Sequence, residues 1–172
     1  IGTLPDSYKY LLRIVSNLNG SIKTGVNEIN ETMTYCEKYN SIFKEESYTI
    51  GAFIALYLEN NNTKAWNLIN KIKISPMASP LACFVKANIA FKTGRNDEAI
   101  TLLENRINTK DRLPFYYLDY MLGKNKLYRL DKDADNYLAD FINNFKGVNY
   151  IKDAYLKLAW YELVVNDDTV RY

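Results

Sequence analysis

Asp131, Asp133 and Asp135 place three carboxylates at alternate positions, the spacing that opens a calcium-binding loop. An EF-hand loop also needs Gly at its sixth position and Glu at its twelfth. Those positions hold Asn136 and Ile142, so the three acids read as helix N-terminal charges favoured by the macrodipole. Glu45-Glu46 and Asp167-Asp168 read the same way, or as solvated loop charge. Cys36 and Cys83 stand 47 residues apart on apolar stripes, too few and too far apart in sequence for a zinc-ligand motif. They are expected to be buried free thiols. The alternative, a disulfide, needs oxidising surroundings and a suitable Cα separation.

The 172 residues include no His, which removes Ser-His-Asp and Cys-His triads, the HExxH zinc site and a His general base. The seven Gly are scattered and form no phosphate-cradling loop. Asn19-Gly20-Ser21, Asn30-Glu31-Thr32 and Asn61-Asn62-Thr63 match the glycosylation pattern by chance in an Asn-rich chain. No cofactor, metal or catalytic residue is therefore expected.

Basic and acidic side chains, 22 and 20, alternate along the chain without a basic stripe, so no nucleic-acid partner is expected. The longest apolar run, 50–58, is about half of a membrane span. An apolar content of 48 % excludes a disordered chain and allows a sizeable core.

The elements that must position any site show a repeat. Ala65, Ala99 and Ala134 are 34 and 35 residues apart, and each is followed by apolar residues at +3 and +4. Ile72, Ile107, Phe141 and Ile142 continue these stripes near +7 or +8, the period of a helix. Ahead of each Ala stands an i, i+4 pair: Phe53/Tyr57, Ala87/Phe91 and Gly123/Leu127, with Ala159/Leu163 in the same series. Breaks at Asn60-Asn61-Asn62, 93–96 and 130–132 separate the two helices of each unit. Gly94 suits a left-handed C′ position, and Asn60 the same position less well. Pro80 and Pro114 are expected to open first helices, where the missing N–H costs nothing.

Each unit thus reads as helix, tight turn, helix, and neither helix is long enough to be stable alone. The stripes must be buried on neighbouring hairpins. The expected fold is all-α: a right-handed α-solenoid of antiparallel hairpins with about nine helices. Its parts are a degenerate hairpin at 1–46, repeats at 47–79, 80–113 and 114–148, and an incomplete repeat at 149–172 consisting of a first helix. The first hairpin comprises helix 8–18, a break at Asn19-Gly20, and a longer second helix over 22–44. Segment 50–58, apolar nearly all round, is expected to be covered by that long helix; an exposed apolar groove is the alternative. The chain starts at Ile1 and its last hairpin lacks a second helix, so the array is expected to be cut from something longer, with Trp160 near the exposed end.

The stretch 86–100, with Ala87, Gly94 and Ala99 in register, resembles a tetratricopeptide repeat (TPR). Segment 117–165 resembles TPR proteins of Bacteroidetes-type bacteria, a likeness that implies an envelope or periplasmic setting by analogy and leaves a cytoplasmic one open. The resemblance implies a non-enzymatic scaffold that binds a protein or peptide on the concave face lined by first helices. On that face Asn88, Lys92, Tyr116, Asp119, Lys126 and Trp160 are the candidate contacts. Lys86, Asn88 and Lys92 supply only part of the two-carboxylate clamp of some TPR domains, because segment 50–58 has no matching Lys or Asn. Two further readings stand beside it: a structural segment of a larger envelope protein, and a carboxylate-based glycan-acting enzyme.

Overall fold

The computed structural model describes residues 5, 8, 21–106 and 113–170. Among them are eight α-helices and no strand, so the chain is all-α. The expected helix 8–18 and its Asn19-Gly20 break lie outside the described residues, Tyr8 excepted. The chain divides into two compact units, Ile1–Lys73 and Ile74–Tyr172.

The first unit holds α1 (Ile22–Lys38), α2 (Lys44–Tyr57) and α3 (Asn62–Asn70). Ser21 caps α1, its hydroxyl accepting from the Thr24 N–H at 3.0 Å. The helix stops at Lys38, short of the 44 read from the sequence. Asn40 turns left-handed at φ 47°, and the Ser41 N–H reaches back to the Cys36 carbonyl at 3.1 Å. This bond satisfies an orphan carbonyl of the last turn and ends the helix. Met33 and Cys36 are buried on α1, whereas Ile50, Tyr57 and Leu58 remain exposed. One side of segment 50–58 is thus uncovered. Glu37 joins the three helices of this unit: its Oε1 accepts from the Tyr48 hydroxyl at 2.7 Å and the Lys71 ammonium at 2.9 Å. These two donors, Lys71 first, hold the Glu37 carboxyl below its usual range.

The second unit holds α4 (Pro80–Lys92), α5 (Asn96–Glu104), α6 (Tyr117–Arg129), α7 (Ala134–Asn144) and α8 (Ile151–Val164). Pro80 opens α4 behind a Ser79 cap, as its missing N–H favours. Pro114 does not open a helix. It lies three residues ahead of α6, in an irregular stretch that the turn at Tyr116 ends.

Ala65, Ala99 and Ala134 are fully buried, as are Ile69, Leu103 and Leu138 four residues later. This is the stripe that lets the second helix of each hairpin lie close on the first. The partner positions on the first helices are Ala52/Leu56, Ala87/Phe91 and Gly123/Leu127. Ala52 and Ala87 are fully buried, while Tyr57 is half exposed. Phe53 and Tyr57 do stack on one helix face, ring centroids 6.1 Å apart, but the fully buried small residue of this helix is Ala52, one position earlier. Turn size is the cause. At Gly94 and Leu130 the next N–H reaches back five residues, Arg95 to Ala90 and Asp131 to Lys126. At Asn60 it reaches back six, Asn61 to Ala55. All three turn residues are left-handed, with φ of 82°, 63° and 51° for Gly94, Leu130 and Asn60.

Within the second unit α6 touches both α4 and α8, whereas α5 and α7 do not touch each other. The first helices therefore form one shared face.

Candidate functional site

Aromatic side chains cover the face that α4, α6 and α8 share. Phe84 of α4 meets Phe115 and Tyr117 at 5.8 and 5.9 Å between ring centroids. Tyr117 continues to Tyr120 at 5.2 Å and to Tyr150 at 4.8 Å. At the other end Phe91 of α4 lies 5.6 Å from Tyr128 of α6. Such tilted ring pairs contribute beyond the area they bury.

Lysines link these rings. The Lys124 ammonium stands 4.8 Å from the centroid of Phe91 and 5.6 Å from that of Tyr120. The Lys157 ammonium lies 3.7 Å from the Trp160 ring and 5.8 Å from Tyr128. These are cation–π distances, and the rings replace part of the water each ammonium loses. Burial lowers the Lys124 pKa, repulsion from Lys92 and Lys157 adds to the lowering, and Asp153 opposes it. Asp153 accepts a hydrogen bond from the Tyr120 hydroxyl and lies 4.0 Å from Lys157.

The residues singled out from the sequence divide between this face and the packing. Lys92 is exposed at the end of α4, and its charge is felt at Lys124. Asn88 lies one turn earlier on α4, half-buried. Trp160 is half-buried, packed against Leu127, Ala134 and Tyr161 and covered by Lys157. Tyr116 is half-buried just ahead of α6.

Asp119 is paired with Arg106, the residue that follows the C-cap of α5. Burial raises its pKa, Arg106 opposes, and Asp140 adds to the rise. Lys126 is only 5 % exposed, its ammonium 2.7 Å from Glu104 of α5 and 2.7 Å from Asp133 before α7. It thus joins the second helices to α6 and is not on the shared face. Lys124 and Lys126 differ by two positions, about 200° around a helix, which puts them on opposite sides of α6.

Lys124, Tyr128, Asp153 and Lys157 escaped the sequence reading. A usable signal existed: Lys92, Lys124 and Lys157 recur at 32 and 33 residues, close to the repeat length.

The three alternate acids each have a local role. Asp131 accepts from Arg129 at 2.9 Å, which holds its carboxyl below the usual range. Asp133 takes Lys126, and Asp135 lies in the first turn of α7. Among the described residues no three His, Cys, Asp or Glu side chains cluster as a metal site would require. No helix among them is long and apolar enough to cross a membrane. Cys36 and Cys83 are both free and buried. Burial pushes the Cys83 thiol up, which keeps it protonated and unreactive.

No protein-family model, curated protein or solved structure matches this chain.

Proposed function

We propose that the chain is a TPR-like helical-repeat module that binds a protein or peptide, without catalysis, on the face shared by α4, α6 and α8. The observation that carries this reading is the ring-and-lysine surface on that face. Tyr128 is 54 % exposed and Tyr150 52 %, and both belong to the ring network. Flat aromatic surface with little side-chain freedom is what concentrates energy in protein interfaces. The asymmetry of packing supports the same reading. Within the second unit, first helices touch first helices while second helices stay apart, which sets α4, α6 and α8 side by side.

The test is a screen of the full chain against an immobilised library of random peptides, repeated with two charge-adding variants. Tyr128→Asp is expected to abolish selected binding, and Asn136→Asp, on exposed α7 surface, to leave it intact. Equal loss in both variants, or no selected peptide at all, would contradict the proposal.

A further inference from the structure

The cations of α6 are used in two different ways. Lys126 holds Glu104 and Asp133, and Arg129 holds Asp97 and Asp131. Lys124, and Lys92 across from it on α4, have no carboxylate within ion-pair distance among the described residues. Lys157, 6 % exposed against Trp160 and Tyr128, is a third cation whose charge is felt at Lys124. The acid beside this group is Asp153, already accepting from the Tyr120 hydroxyl. Asp153 is the ion-pair partner of Lys157, which leaves Lys92 and Lys124 without a carboxylate of their own. Lys124 stands over the ring of Phe91, the residue before Lys92, so both ammonium groups lie at the same end of α4, and a carboxylate placed there would be attracted by both.

We propose that the α4–α6–α8 face takes an acidic peptide, with one Asp or Glu carboxylate seated between Lys92 and Lys124 and a neighbouring apolar side chain on the Tyr128 ring. This deepens the reading that the face binds peptides and rests on it. The chemistry at hand selects the occupant. Lys92 and Lys124 are point charges, without the planar guanidinium fork that grips phosphate through two parallel bonds. The exposed Tyr128 ring beside them offers a free inorganic anion nothing but gives an apolar side chain a flat surface.

The experiment is fluorescence anisotropy of the full chain with three labelled ten-residue peptides. One alternates Glu and Leu, the second has Gln for every Glu, and the third has Lys for every Glu. The Glu peptide is expected to bind about tenfold tighter than the Gln peptide, a difference that shrinks with added salt. The double variant K92Q/K124Q is expected to bring the Glu peptide down to the Gln level. Lys92→Gln alone, at an exposed site, is expected to weaken it about threefold. Equal affinity for the Glu and Gln peptides, or no effect of either variant, would overturn the acidic occupant and leave peptide binding standing. Competition by inorganic phosphate as strong as by the Glu peptide would also overturn it. Failure of all three peptides together with the random library would overturn the underlying reading itself.

Discussion

Gly123 of α6 stands directly against Leu138 of α7: a Cβ on residue 123 would lie 2.7 Å from the Leu138 Cγ and 3.0 Å from its backbone N. The close approach of first and second helix in this hairpin depends on the missing side chain. Gly123→Ala therefore sets two effects against each other. Helix propensity favours Ala by about 1 kcal/mol, and overpacking of a dense contact costs about 1–3 kcal/mol. Because two of the three nearest atoms are backbone, the cost is expected to win, with a net loss of about 1 kcal/mol by denaturant unfolding. Gly25 in α1 has nothing within 4 Å of an added Cβ, and there Ala is expected to stabilise.

Leu130 is the turn residue where left-handed backbone is most costly. It holds φ 63° and is 57 % exposed, so it loses little packing if replaced. A left-handed L-residue costs about 1–2 kcal/mol, and Gly gives back part of that through a freer unfolded chain. Leu130→Gly is expected to raise stability by about 0.5 kcal/mol, while Leu130→Ala, which keeps the strain, is expected to give no gain. Thermal melts of the two variants against the parent check this.

The architecture was readable wherever a residue type has one physical use. Ala65, Ala99 and Ala134 mark helix contacts because only a small residue admits a neighbouring helix, and all three are buried. Gly94 marks a turn for the same kind of reason. Asn60 is also left-handed, but residue type does not encode whether a turn closes over five residues or six. With the longer turn, the buried pair of this helix is Ala52/Leu56, one position ahead of the stacked rings of Phe53 and Tyr57. Nothing about Leu130 announces a left-handed turn. On the shared face, two lysines two positions apart have the same chemistry in the sequence and opposite surroundings in the fold. Only the packing of Glu104 and Asp133 around Lys126 tells them apart.

Alkaline pH is expected to destabilise the fold through its tyrosines. Burial first, and then the Glu37 bond, push the Tyr48 hydroxyl up to about 12. Burial and the Asp153 bond raise Tyr120, and burial raises Tyr161. A raised hydroxyl contributes stability that is fully present below the unfolded value near 10 and is lost as pH rises through the folded value. Stability is therefore expected to fall from about pH 10 upward. Absorbance at about 295 nm should show a buried group of tyrosines that ionises only above about pH 10 or on unfolding. A single transition of all tyrosines near 10, with the fold intact, would contradict the burial of Tyr48, Tyr120 and Tyr161.

The most direct test of peptide binding by the first-helix face is an amide and side-chain NMR titration of the full chain with a peptide selected from the library. Shifts are expected to concentrate at Asn88, Lys92, Lys124, Tyr128, Lys157 and Trp160, with α5 and α7 unmoved. Shifts confined to α5, α7 or the first unit, with those six residues unchanged, would contradict the assignment of the binding face.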